Sequence, residues 1–233
     1  MTNWFCKGII VVYFLLTITH AAHAGSLEIY SVVKMLKAIE ERKQQAIDQL
    51  KIYLREIKSI AVDFTQEDSA GNQTEGKLLI NKPAKKFRCN YYLPFPLVVI
   101  GNANYVSVYD YDMKHVSRIK AEENVFNFLL EDSIDFDKYF KIESTIDRDN
   151  MFEITIYHTL SERRSQITFD KETKQMKMLK ILEDDNVITI KFNHIAKVQN
   201  FDDDLFKLKH PDIFGAPKRL NKSDIEKKYN LAS

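Results

Sequence analysis

Beyond residue 24 the chain carries four histidines, His115, His158, His194 and His210, and a single cysteine, Cys89. These are the side chains that could hold a metal or attack a carbonyl. A structural zinc needs four nitrogen or sulfur ligands, usually delivered as closely spaced pairs on one element. No two of the histidines have that spacing, and one cysteine cannot make a Cys-x-x-Cys pair. His158-Thr-Leu-Ser161 places a base three residues from a hydroxyl. A hydrolase would present that serine on a Gly-x-Ser-x-Gly elbow, and here it opens the polar turn Glu162-Arg163-Arg164. Asp202-Asp203-Asp204 is a run of one residue type without the alternating ligands of a calcium loop, and reads as a turn. Six glycines in the whole chain leave no phosphate-cradling loop. Neither catalysis nor a resident metal or cofactor is expected.

The elements that would position any site follow from the patterning. The mature chain opens on two helical stretches. Ile29, Val32, Val33, Leu36 and Ile39 recur at helical spacing, and so do Ile47, Leu50, Leu54 and Ile57. A joint is expected around Glu41–Gln45, because one helix over both stretches would exceed a small domain in length. From Ile60 the period changes to two. Strands are expected at 60–64, 76–82, 87–91, 97–100, 105–109, 115–119, 139–145, 151–158, 165–170, 175–183 and 187–198, with a last short one over Leu205–Leu208. Short strands at near-regular spacing with tight turns make an antiparallel meander that curls toward a barrel. The segment Glu122–Lys138 departs from the alternation. Val125, Phe126, Phe128, Leu129 and Leu130 lie there between acidic flanks, so a short helix over one face of the sheet is expected. Pro211 to Ser233 is charged and expected to be loosely held.

The first 24 residues place the protein in a compartment. One early positive charge, Lys7, precedes the apolar run Ile9–Ile18, and Ala22-His23-Ala24 supplies a small-x-small cleavage site. That order is a secretory signal peptide cut after Ala24. Cleavage also removes Cys6, so no intramolecular disulfide is possible and stability must come from packing. Cys6 precedes the apolar run, so it is not a lipid-attachment cysteine. Setting Lys7 aside leaves 33 basic against 33 acidic side chains. That balance offers no overall pull toward nucleic acid or an anionic membrane.

Several ordered motifs carry a resemblance. They are Leu54-x-x-Ile57-x-x-Ile60-x-x-Asp63-Phe64-Thr65-Gln66, Glu75-Gly76-x-Leu78, Lys82-Pro83-x-x-x-Phe87-Arg88-x-x-Tyr91 with Pro94, and Val106-x-Val108-Tyr109-Asp110-x-Asp112-x-x-x-Val116. Leu129-Leu130, Asp184-Asp185-Asn186-x-Ile188-Thr189-Ile190-x-Phe192 and Phe206-x-Leu208-x-x-Pro211 follow. Between about residues 46 and 215 the chain resembles the periplasmic outer-membrane lipoprotein carrier family, LolA. The resemblance implies a mainly β fold, an incomplete antiparallel barrel of about 11 to 12 strands closed by a helical lid. The division expected is a signal peptide (1–24), an N-terminal helical extension (25–45), the half-barrel with its lid (46–215) and a flexible tail (216–233).

The resemblance also implies a function: a monomeric, periplasmic, non-enzymatic carrier. Such a carrier takes acylated lipoproteins from an inner-membrane ABC transporter and hands them to an outer-membrane acceptor. The acyl-binding wall it implies comprises Phe64, Leu78, Ile80, Phe87, Cys89, Tyr91, Val98, Ile100, Val108, Phe128, Leu129 and Leu130. Phe87 matches the aromatic at the barrel mouth, and Cys89 stands where relatives usually have Trp. Lys82 stands where they commonly have an Arg that latches the lid. An outer-membrane acceptor of the same fold would carry a lipidated cysteine after its leader, and none is present. A sensor or adaptor that binds a protein through the extra N-terminal helix is the remaining alternative.

Overall fold

The computed structural model describes residues 5–92, 94–121, 129–130 and 139–229. It divides into two compact units, Met1–Ala46 and Ile47–Ser233. Helix α1 runs without interruption over Phe5–Glu56. The joint expected at Glu41–Gln45 is absent. Those polar residues are all compatible with helix, and only Gly or Pro would have broken it. The predicted signal peptide falls in this helix, apart from residues 1–4, which lie outside the described residues. No helix among the described residues is long and apolar enough to cross a membrane.

The second unit is built on one antiparallel sheet of eleven strands. They are β1 (Ser59–Glu67), β2 (Gln73–Asn81), β3 (Lys86–Tyr91), β4 (Leu97–Gly101), β5 (Tyr105–Asp110) and β6 (His115–Lys120). After the lid segment come β7 (Phe140–Asp147), β8 (Met151–His158), β9 (Arg163–Asp170), β10 (Met176–Glu183) and β11 (Asn186–Lys197). The spatial order is β6-β5-β4-β3-β2-β1-β11-β10-β9-β8-β7. First and last strands meet in the middle, and the sheet stays open between β6 and β7. These two edge strands are consecutive in the chain. Of the segment Glu122–Lys138, where a short helix is expected, only Leu129 and Leu130 are among the described residues. Both edges are mostly exposed, and β6 carries His115, Arg118 and Lys120, charges that discourage pairing with another chain.

A twelfth strand does not form. Asp203–Phe206 is a 3-10 turn, capped by the Asp202 carboxylate, which accepts from the backbone N–H of Asp204. The Lys207 N–H closes the turn on the Asp204 carbonyl, and Leu205 and Phe206 are buried together in it. The tail is also more ordered than expected. A single turn α2 (Pro211–Phe214) leads to helix α3 (Lys222–Tyr229). Ile225 of α3 is buried in a cluster with Ala61, Leu79, Val198, Leu205 and Phe206.

Candidate functional site

Cross-strand partners in an antiparallel sheet point to the same side, so the register sorts every strand residue onto one of two faces. One series runs Phe87↔Ile80↔Ile60, Cys89↔Leu78↔Val62 and Tyr91↔Gly76↔Phe64. It continues through Phe64↔Phe192 and along β11 to Ile190↔Leu179, Leu179↔Ile167 and Ile167↔Ile154. The last turns of α1 cover this face. Tyr53 stacks on Phe169 with ring centroids 4.4 Å apart and the planes 13° from parallel. The other series holds Ala61, Leu79, Arg88 and Ile100, and the C-terminal segment covers it.

On the helix-covered face the two aromatics Phe64 and Phe87 each lie over a cross-strand glycine. Phe64 is opposite Gly76, and a side chain added there would collide with its ring. Phe87 is opposite Gly101 in the same relation. The missing Cβ atoms let the rings lie flat on the sheet, and both rings are buried. Tyr91 meets Phe64 edge-on at 5.1 Å, and its hydroxyl donates to Gln66 Oε1 at 3.0 Å. Burial pushes the Cys89 thiol well above its ordinary value and raises the Tyr91 phenol too. Burial thus favours the neutral form of both, and the Cys89 thiol packs as a small apolar side chain on this face.

Of the expected wall, Phe64, Leu78, Ile80, Phe87, Cys89, Tyr91 and Val108 share this face. Val98 and Ile100 do not. Val98 pairs with Asn90 and Tyr109, and Ile100 with Arg88 and Ser107. Both sit in a separate cluster with Tyr109, Tyr111, Val116 and Leu208. Their neighbour Val99, opposite Cys89 and Val108, takes the inward place. Leu97 to Ile100 is apolar throughout, so its periodicity does not tell one face from the other. Leu129 and Leu130 are both fully buried; Phe128 lies outside the described residues. Sequence reasoning also missed the far half of the face, Phe152, Ile154, Ile167, Phe169, Leu179, Ile190 and Phe192, all buried. The apolar alternation Phe152-x-Ile154-x-Ile156 in β8 was the signal available for it.

Lys82 is buried, and its ammonium donates to the Leu54 carbonyl at 2.7 Å. Leu54 is in the last turn of α1, where carbonyls lack helical partners and the dipole favours a cation. The lid carbonyls first expected as its acceptors lie largely outside the described residues. The acceptor described here is at the end of α1.

No group of three or more His, Cys, Asp or Glu side chains among the described residues could hold a metal. His158 is buried, and its Nδ1 lies 2.5 Å from Ser161 Oγ and accepts the Ser161 backbone N–H at 3.2 Å. Burial lowers its pKa.

Residues 55–209 match the family described as outer membrane lipoprotein carrier protein LolA. The chain belongs to the LolA family. An uncharacterized protein of Rickettsia prowazekii (strain Madrid E) is 62% identical over 187 residues, covering 80% of this chain and 87% of that one. Among solved structures, an uncharacterized conserved protein from Thermus thermophilus aligns with a TM-score of 0.46 and 10% identity, over 72% of this chain and 94% of that one. The Mycobacterium tuberculosis lipoprotein LppX aligns with a TM-score of 0.36 and 11% identity, over 68% and 97%. Membership of this family points to lipid or lipoprotein binding, and the open antiparallel sheet described above is the scaffold.

Proposed function

We propose that this protein is a periplasmic carrier that holds the acyl chains of lipoproteins against the helix-covered face of its sheet. On this reading it is exported by a signal peptide cleaved after Ala24 and works as a monomer. It receives cargo from an inner-membrane ABC transporter and passes it to an outer-membrane acceptor. The observation that carries the reading is the continuous apolar face from Phe87 through Phe64 to Phe169, in a chain of this family. Burying an acyl chain gains about 0.8 kcal/mol per CH2. A long chain therefore leaves water strongly, and a carrier must offer it a comparable apolar surface. Apolar contact is also non-directional. Side chains that cover the face in the unloaded protein can be exchanged for cargo without leaving polar groups unpaired.

The proposed lid is the segment Val125–Leu130, of which Leu129 and Leu130 are described and buried. Lys82 would set how readily the neighbouring cover moves, through the end of α1. The test is release of lipoproteins from spheroplasts by the added protein, with native mass spectrometry of the product. We expect a soluble complex with one acylated lipoprotein. Phe87→Glu should abolish it, and Lys82→Leu should load cargo and surrender it poorly. Failure of the folded wild type to release any lipoprotein would overturn the reading. A second reading, a protein-binding adaptor, is favoured by one feature. Ile29, Val32, Val33, Leu36 and Ile39 on α1 are all exposed. Removing that stretch would abolish binding to an adaptor's partner and leave lipoprotein release intact.

A further inference from the structure

On the opposite face of the sheet Arg88 is only 4% exposed and has no carboxylate partner among the described residues. Its Nε donates to Asn90 Oδ1 at 2.8 Å, and its two terminal nitrogens donate to the Leu205 carbonyl at 3.0 Å and the Lys218 carbonyl at 3.1 Å. All three acceptors are neutral. A guanidinium carries five N–H donors. These bonds leave one N–H on each terminal nitrogen, the number a carboxylate accepts in its parallel two-bond pairing. A buried cation without a counter-charge is costly and is rarely kept without a partner. Burial pushes the guanidinium down from its ordinary value, with only the phenols of Tyr111 and Tyr229 opposing.

Arg88 lines a pocket of about 360 Å³ beneath the C-terminal segment, within the size range of small-molecule sites. The Tyr229 side chain lines it as well, and among the described residues no group lies within hydrogen-bonding geometry of its buried hydroxyl. Phe214, Pro217, Leu220 and Ile225 make its apolar wall. Two of its acids are already matched, Asp202 by Lys228 at 3.0 Å and Asp204 by Lys207 at 2.9 Å. Arg88, Lys209 and Lys218 then stand against Asp224 alone.

We propose that this pocket binds a small amphiphilic carboxylate, with its carboxylate on Arg88 and the Tyr229 hydroxyl and its apolar body against Phe214, Leu220 and Ile225. The site is on the face away from the acyl-binding surface and does not depend on it. Bound there, the ligand would supply the missing negative charge and tie α3 to β3, so occupancy would be read in the order of the tail. The pocket volume suits a short chain and is too small for a long acyl group.

The test is a titration of the full chain with hexanoate, followed by NMR on the backbone amides. The neutral isostere hexanamide is the control. Hexanoate should shift the amides of 202–229 and β3 saturably, and hexanamide should not. Tyr229→Phe removes only the hydroxyl and should weaken hexanoate about 3- to 10-fold, the effect of one lost hydrogen bond. Arg88→Gln should abolish binding. Should Arg88→Gln fail to fold, Arg88→Lys, which keeps the charge and loses the fork, should weaken binding at least about 10-fold. Equal shifts from hexanoate and hexanamide would overturn the proposal. So would the absence of saturable shifts in the wild type, or shifts confined to the helix-covered face.

Discussion

The two faces of the sheet are held by different physics. The tail-covered face is fastened by directional polar contacts. Lys77, 1% exposed, lies 3.1 Å from Asp63 Oδ1 and 3.5 Å from Glu226 Oε1 on α3, while Arg88 reaches two backbone carbonyls of the tail. The helix-covered face is dominated by apolar contacts, aromatic rings lying on glycines and aliphatic side chains between them. Buried ion pairs fix geometry, because losing either partner strands a charge. Apolar contacts depend on area and shape, and another apolar body can replace them. One face thereby holds its cover by directional contacts, and the other by contacts that another apolar body could replace.

The largest effect should come from breaking the fastened face. Lys77→Ala takes the buried cation from between Asp63 and Glu226, leaving Asp63 only the exposed Lys222 at 4.0 Å, and should cost about 3 kcal/mol, the low end for a broken buried pair, read from urea unfolding. A loss below about 1 kcal/mol would mean the tail is held by Ile225 and its neighbours alone.

A smaller effect sharpens the other side. Gly101→Ala drives a methyl group into the Phe87 ring and should cost about 1–3 kcal/mol by overpacking. In a Phe87→Leu background the same change should cost less, because the smaller side chain leaves room. Additive costs in that double-mutant cycle would show that the ring does not rest on Gly101.

The smallest effect is a pH dependence in β8. Burial lowers the His158 pKa, and Nδ1 accepts the Ser161 N–H, so protonation would forfeit that bond. The unfolded chain binds the proton first, at about pH 6.5, so stability rises with pH across this window. This contribution is complete above about pH 6.5 and is lost as the pH falls through the lower native pKa. His158→Gln should flatten the difference in urea midpoint between pH 7.5 and 5.5. An unchanged difference would assign the pH dependence to other groups.

Much of the sheet was legible before any coordinates. The eleven strand segments expected from apolar stretches between turn residues are strands, and where alternation is clear, as in Phe152-x-Ile154-x-Ile156, it is the trace of a buried face. The failures share a cause. Leu97–Ile100 is apolar on both sides, so pattern could not choose its inward face, and Val98 and Ile100 were assigned to the wrong one. Leu205 and Phe206 looked like the start of a strand. Their capping carboxylate and their burial on one side of the tail make them a 3-10 turn. The charged tail looked unattached because its few apolar residues, Leu220, Ile225 and Tyr229, find their partners on β1 and β2, far away in sequence.

The sequence by itself determined the element types, the antiparallel meander, the leader pattern and the family. Each of those is written in local chemistry: side-chain period, turn residues, a charge before an apolar run, motifs in order. The tertiary structure decided which valine of β4 faces inward, which rings lie on which glycines, and that Lys82 reaches the end of α1. It also decided that Arg88 is buried with no acid paired to it among the described residues. These depend on register and on contacts between separate elements, up to 117 positions apart for Arg88 with Leu205. The energy of such contacts exists only once the chain has folded, so no local pattern records it.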